Sequence, residues 1–265
     1  MKNRIDEMFI KLNQNKQKAL ITFITAGDPD IETTKELVLA MEKAGANLIE
    51  LGVPYSDPIA EGKVIQAANQ RALKNDVRLI TLFKMVKELR EKTGIPLVFL
   101  MYVNSILQFG KDEFFKACLE NGIDGVIVPD LPFEESDEIH NDAKKYYINL
   151  IRLVTPTSLD RIELIASKAE GFLYCVSSLG VTGVRSNFKT DFKEFFDRIN
   201  MVKSAPCAVG FGISTKEQVV EMTGYCDGVI VGSAIVKKIE IAKTKQEAIK
   251  NVYDFVLQLS TAIKN

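Results

Sequence analysis

The sequence has a single histidine, His140, in 265 residues. His-dependent triads and His-ligated metal sites need an imidazole in the right place. This one lies in Glu134-Glu-Ser-Asp-Glu-Ile-His-Asn-Asp-Ala-Lys, which reads as the solvated face of a charged helix. Acid–base work would then fall to carboxylates, tyrosine or lysine, and no metal site is expected. The four cysteines, Cys118, Cys175, Cys207 and Cys226, form no C-x-x-C pair, which disfavours zinc and thioredoxin-like readings. Three of them sit in or beside apolar runs, as small buried thiols of a reducing compartment do. No long run of one charge sign stands out, and 34 basic against 35 acidic residues leave a formal net charge of −1. Nothing there predicts a nucleic-acid or membrane surface. No stretch approaches the roughly 18 apolar residues of a membrane span. The start, Met-Lys-Asn-Arg-Ile-Asp-Glu-Met, lacks the apolar core of a signal peptide, so a soluble, cytoplasmic chain is expected. Linkers rich in Ser, Gly or Pro and low-complexity segments are also missing, and residues 1–265 read as one domain.

What is present is one alternation, repeated from end to end. Apolar runs rich in Val and Ile end at Gly, Pro, Asp or Ser, and each leads into an amphipathic stretch of helical length. The runs are 19–25, 48–53, 96–102, 125–129, 149–155, 172–177, 207–211 and 228–231. They show little in/out alternation, as expected of parallel strands buried on both faces. Between them, Asp30 is a plausible N-cap for a helix carrying Leu37, Ala40, Met41 and Ala44, with Gly45 as its stop. Ser214-Thr-Lys-Glu217 has the form of a capping box, and residues 5–12 read as an extra helix before the first strand. Eight strand–helix repeats predict an α/β fold, a closed (β/α)8 TIM barrel with an extra N-terminal helix, with an open doubly wound sheet as the alternative. The gap between the second and third strands is long. It reads as a loop over 58–75 followed by a helix from about Leu79.

In a barrel the chemistry lies where the strands end. Glu50 interrupts an otherwise apolar strand, and a carboxylate removed from water there has a raised pKa or a partner. Glu61, in Asp57-Pro-Ile-Ala-Glu-Gly62, is a second candidate. Tyr102, Asn104, Asp130 and Gly27-Asp28 also close strands. Val209-Gly-Phe-Gly-Ile-Ser214 and Ile230-Val-Gly-Ser-Ala234 each lead into a helix, with Gly180-Val-Thr-Gly183 beside them. Bare glycines before a helix N-terminus suit a phosphate, and otherwise serve only as tight turns.

Glu50-Leu-Gly-Val-Pro-Tyr-Ser-Asp-Pro58, Tyr174 with Gly180-Val-Thr-Gly183, Gly210-Phe-Gly-Ile-Ser214 and Val231-Gly-Ser233 together resemble the tryptophan synthase alpha chain family. The order and spacing fit from Phe23 to the last helix. The resemblance implies a lyase that splits indole-3-glycerol phosphate into indole and glyceraldehyde 3-phosphate by a retro-aldol reaction, without a cofactor in this chain. It implies Glu50 as the acid–base and Glu61 as the group that holds the indole N–H, at a position where an aspartate is common. Phe23, Leu100, Tyr174 and Phe211 would line the indole pocket. Gly183, Gly212, Gly232 and Ser233 would hold the phosphate, and Thr182 would meet the loop carboxylate on closure. Lys63 stands where proline is common and Ser178 where arginine is frequent. The family works with a pyridoxal-phosphate beta chain in an alpha2beta2 complex, and Pro54, Asp57, Asn104, Asp130 and Pro132 match positions around that contact. A different phosphate-sugar barrel enzyme, or a subunit that chiefly activates a partner, remain the rival readings.

Overall fold

The computed structural model describes residues 3–158, 160–176, 188–210 and 212–264. In chain order the elements are α1 (Arg4–Gln14), β1 (Ala19–Thr25), α2 (Ile31–Lys43), β2 (Leu48–Gly52), α3 (Lys63–Leu73), α4 (Leu79–Arg90) and β3 (Leu97–Leu100). Then come α5 (Val103–Phe109), α6 (Lys111–Asn121), β4 (Gly125–Ile127), α7 (Asp137–Lys145), β5 (Asn149–Val154), α8 (Ile162–Ser167), β6 (Leu173–Val176) and α9 (Phe188–Val202). β7 (Cys207–Gly210), α10 (Lys216–Thr223), β8 (Gly228–Val231), α11 (Ser233–Glu240) and α12 (Lys245–Lys264) complete the chain. The strands pair in sequence order, all parallel, and β8 closes on β1: a TIM barrel with α1 outside the repeat. All eight runs read from the sequence form strands, most of them shortened by one to three residues at their ends.

Two apolar layers hold the wall in place. Leu20, Ile24, Ile49, Leu51, Phe99 and Val126 face the helices and belong to the larger core. The alternate residues Ile21, Leu48, Val98, Ile127 and Ile151 face the barrel interior. Ile5, Phe9 and Leu12, one face of α1, pack on that interior cluster and close its lower end. Asp124 fixes this end electrostatically. It pairs with Arg90 at 2.7 Å and Arg4 at 2.8 Å and accepts the Leu97 N–H, so α1, α4, β3 and β4 converge on one buried carboxylate.

Three local expectations are corrected. The 58–75 segment is not wholly a loop, since Lys63–Leu73 forms α3. The capping box opening α10 is Thr215 with Gln218, one residue beyond the frame read from the sequence. His140 is not on a fully solvated face: its Nε2 lies 3.2 Å from the Glu170 carboxylate and the side chain is 19% exposed. Asp30 caps α2 by accepting the Thr33 N–H, and Gly45 follows that helix at φ +104°, where a side chain would be strained. All four cysteines are buried and free. Among the described residues, no helix is long and apolar enough to cross a membrane.

Candidate active site

β2 presents Glu50 between Ile49 and Leu51, which belong to the outer core, so the carboxylate points into the barrel. Its strand neighbours in register are Phe23 on β1 and Val98 on β3. Glu50 is 1% exposed, and no described residue donates a hydrogen bond to its Oε1. Water loss with no compensating donor disfavours the anion, and burial pushes the carboxyl pKa up to about 8. At neutral pH this group therefore holds its proton.

Phe23 and Tyr174 stand near Glu50 on the interior wall, and both are buried. Each needs a bare glycine beside it. A Cβ on Gly52 would lie 2.6 Å from the Phe23 ring, and one on Gly210 would lie 2.6 Å from the Tyr174 hydroxyl. Gly232 also borders Phe23, at a tight 3.3 Å for a notional Cβ. Burial, and the Glu50 carboxylate once it has ionised, hold the Tyr174 hydroxyl in its protonated form well above the usual phenol range. Leu100, at the end of β3, packs against both Phe23 and the interior cluster. Phe23, Glu50, Leu100 and Tyr174 thus share one chamber wall.

Glu61 approaches from the loop after β2. Tyr102, immediately beyond β3, donates its hydroxyl proton to Glu61 Oε2 in a short hydrogen bond. The same hydroxyl accepts the Ala60 N–H at 2.8 Å, and the Tyr102 ring stacks on Tyr55 at 4.6 Å. Three contacts therefore pin the loop to β3. Burial raises the Glu61 pKa, and the Tyr102 hydroxyl partly offsets it by favouring the anion. Sequence reasoning named Tyr102 only as a strand-closing residue. Its link to Glu61 spans 41 positions and leaves no local signal. Lys63, at the start of α3, is exposed. Asp28 is engaged elsewhere: Arg71 of α3 grips it with two bonds of 2.8 Å, tying that helix to the end of β1.

At the end of β8, beside β1, Gly232 precedes α11 and Ser233 is its exposed first residue. The first N–H groups of a helix lack intrahelical acceptors and favour an anion. At α10 the corresponding Ser214 and Thr215 N–H groups are already bound to the Gln218 side chain, at 2.9 and 3.2 Å. Gly212 lies at φ +79° between β7 and that helix. Thr182, Gly183 and Phe211, as well as Ser178, lie outside the described residues. Of the positions matched to a partner contact, Asp57, Asn104 and Pro132 are exposed at this end of the barrel. Pro54 is buried, and Asp130 accepts the Val103 N–H at 3.0 Å.

Comparison with known proteins agrees with the barrel fold. Residues 9–264 match the family model described as tryptophan synthase alpha chain. A tryptophan synthase alpha chain from Thermoanaerobacter sp. (strain X514) is 49% identical over 261 residues, covering 98% of this chain and 100% of the relative. One from Geobacillus stearothermophilus is 51% identical over 221 residues, covering 83% and 82%. Among solved structures, tryptophan synthase subunit alpha from Legionella pneumophila str. Paris superposes with a TM-score of 0.92 at 36% identity, over 100% of both chains. A Mycobacterium tuberculosis tryptophan synthase structure gives 0.88 at 30% identity, again over 100% of both. On sequence and fold together, the chain belongs to the tryptophan synthase alpha chain family.

Proposed function

We propose that Glu50 is the acid–base group with which this chain performs the reaction of its family, the cleavage of indole-3-glycerol phosphate in tryptophan biosynthesis. The observation that carries the assignment is a buried carboxyl whose Oε1 has no donor among the described residues and whose pKa is pushed up to about 8, facing an apolar chamber. Cleavage begins with a proton delivered to the indole ring carbon that bears the glycerol phosphate side chain. A carboxyl still protonated at pH 7 can supply it. The adjacent side-chain hydroxyl then loses its proton to the Glu50 carboxylate. The carbon–carbon bond breaks, its electron pair restores the aromatic ring, and the hydroxyl carbon becomes the aldehyde of glyceraldehyde 3-phosphate. Glu50 ends the cycle protonated, so protons balance without any other reagent.

Glu61 holds the indole N–H in this reading, with Tyr102 orienting its carboxylate. Phe23, Leu100, Tyr174 and Phe211 enclose the ring, and Thr182 meets the loop carboxylate when the site closes. The phosphate lies against Gly183, Gly212, Gly232 and Ser233, where the start of α11 offers unpaired N–H groups. An alpha chain implies a beta-chain partner, to which the pyridoxal phosphate belongs; an alpha2beta2 assembly in the cytoplasm, built from this chain as one domain, is the form we propose. Glu50→Gln is the test, with indole release measured in the presence and absence of a beta chain. Indole formation is expected to fall to background while partner binding is kept. Undiminished turnover would remove Glu50 from the chemistry.

A further inference from the structure

A second charge interrupts an apolar strand, on the other side of the barrel wall. On β5, Ile151 and Leu153 pack with the interior cluster while Leu150 and Val154 belong to the outer core. Arg152 therefore projects outward, between the sheet and the helices. It is 8% exposed. Its Nε donates to the Lys168 carbonyl at 3.0 Å and its Nη1 to the Ser136 hydroxyl at 2.8 Å. The guanidinium lies 4.7 Å from the centre of the Phe133 ring. Among the described residues, no carboxylate touches it. Asp137 and Glu170 act on it only through space, and Glu170 is engaged by His140. Nη2 has no acceptor among the described residues. A buried cation without a counter-ion is expensive, and arginine stays charged where lysine would release its proton.

The same guanidinium lines a cavity of about 200 Å³ between β4–β5 and α7–α8. Pro129, Pro132 and Phe133 supply apolar walls, Ser136 and Ser158 supply hydroxyls, and Arg161 supplies a second guanidinium. Among the described residues, no carboxylate lines it. Among the described residues, Arg161 makes one side-chain bond, from its Nη1 to Glu134 at 2.9 Å. Two guanidinium groups, one of them paired with a single carboxylate, and the Ser158 hydroxyl make an environment suited to negative charge.

We propose that this cavity is a second, anion-binding site of the chain, taking the carboxylate or phosphate group of a small molecule through the free Nη2 edge of Arg152. Arg161 and the Ser158 hydroxyl complete the donor set, since the Ser136 hydroxyl gives its proton to the Phe133 carbonyl, and the proline and phenylalanine walls accommodate a short apolar tail. The site is separate from the barrel mouth, because Arg152 faces the helix layer and Glu50 faces the interior.

The test is a titration of the full chain, labelled with nitrogen-15 at arginine, at pH 7 and fixed ionic strength. One arm uses inorganic phosphate and the other acetate. The readout is the Nε–H resonance of Arg152, identified by its disappearance in Arg152→Met, or in Arg152→Lys if the methionine variant does not fold. A phosphate ion held at the barrel mouth shifts other resonances, so the two sites are read separately. The expected result is a saturable shift of the Arg152 signal. Arg161→Gln should move its midpoint up by about 3- to 10-fold, the loss of one charge-assisted contact. Saturation by phosphate alone assigns a phosphate-bearing ligand, and saturation by acetate alone assigns a carboxylate. A linear drift of the Arg152 signal in both arms up to about 100 mM, where only screening is at work, overturns the proposal.

Discussion

Replacing Glu50 with glutamine should stabilise the chain, and by an amount that depends on pH. The folded carboxyl titrates at about 8 against 4.5 in its ordinary setting. Below pH 4.5 both folded and unfolded chains carry the proton, and Glu50 makes no pH-dependent contribution. Between 4.5 and about 8 the unfolded carboxyl is ionised while the folded one keeps its proton, so stability falls as pH rises. Above about 8 both are ionised and the penalty is complete. The slope inside the window is about 1.4 kcal/mol per pH unit, which puts the penalty near 3 kcal/mol at pH 7 and near 5 kcal/mol above the window, to order of magnitude. Glutamine is neutral in both states and escapes it. Its buried amide carries its own cost, but that cost does not vary with pH. The quantity to measure is therefore the stability difference between Glu50→Gln and the parent, by urea unfolding at several pH values from about 5 to 9. It should grow with pH by a few kcal/mol and then level off. In thermal unfolding the same difference corresponds to roughly 6–12 °C at pH 7 for a chain of this size. A difference that stays flat across that range would mean that the folded carboxylate is ionised and partnered, and the proton-donor role would lose its physical basis.

Activity should fall as pH rises through about 8, where Glu50 loses the proton it must donate; a kcat/KM profile that keeps rising past that point contradicts the assignment. Tyr102→Phe removes the hydroxyl that joins Ala60 and Glu61, and should raise KM and lower kcat by roughly 10-fold each with little change in melting temperature, as for a lost hydrogen bond to a charged group. Glu61→Asp should retain or improve indole formation, and a total loss would show a loop built around the longer side chain. Gly210→Ala drives a methyl group into the Tyr174 hydroxyl and should destabilise by about 1–3 kcal/mol while impairing turnover, which chemical denaturation and steady-state kinetics would report together. Asp28→Ala leaves Arg71 with only Glu240 as a partner and should cost about 1–3 kcal/mol, seen as a lower midpoint of urea unfolding.

The barrel was legible because its strands are buried on both faces, and such runs stand out as blocks of Val, Ile and Leu. α3 was not. Lys63–Leu73 begins after Gly62, which offers no side-chain cap, and the residues it buries, Ala68, Asn69 and Ala72, are small or polar. The box at α10 was readable only to within a residue. Ser214–Glu217 and Thr215–Gln218 are overlapping frames of the same motif, and backbone geometry chooses between them. His140 was misjudged because its partner, Glu170, lies 30 residues away. At the site, Glu50 announced itself as a charge inside an apolar strand. Arg152 carries the same signal in the run Asn149–Val154 and went unread, since attention rested on residues at strand ends. The partnership of Tyr102 with Glu61 depends on the path of a loop, which no local pattern encodes.

The two carboxyl groups of the chamber differ in what surrounds them, and that difference assigns their work. Glu50 sits on a strand with no donor to its Oε1 among the described residues, so protonation relieves its desolvation. Glu61 sits on a loop, less deeply buried, and receives the Tyr102 hydroxyl, which favours the anion. An acid must hold a proton until the ring carbon takes it, whereas a group that orients an indole N–H must be an acceptor. Exchanging the environments would exchange the roles. A hydroxyl donor placed beside Glu50, by Val98→Thr on the neighbouring strand, should lower its pKa and move the alkaline limb of the kcat/KM profile down in pH. Removal of the Tyr102 hydroxyl should leave that limb where it is, because it acts on the other carboxylate. An unmoved limb in a Val98→Thr variant whose hydroxyl is seen bound to Glu50 would separate the pH dependence from Glu50 and refute the division of labour.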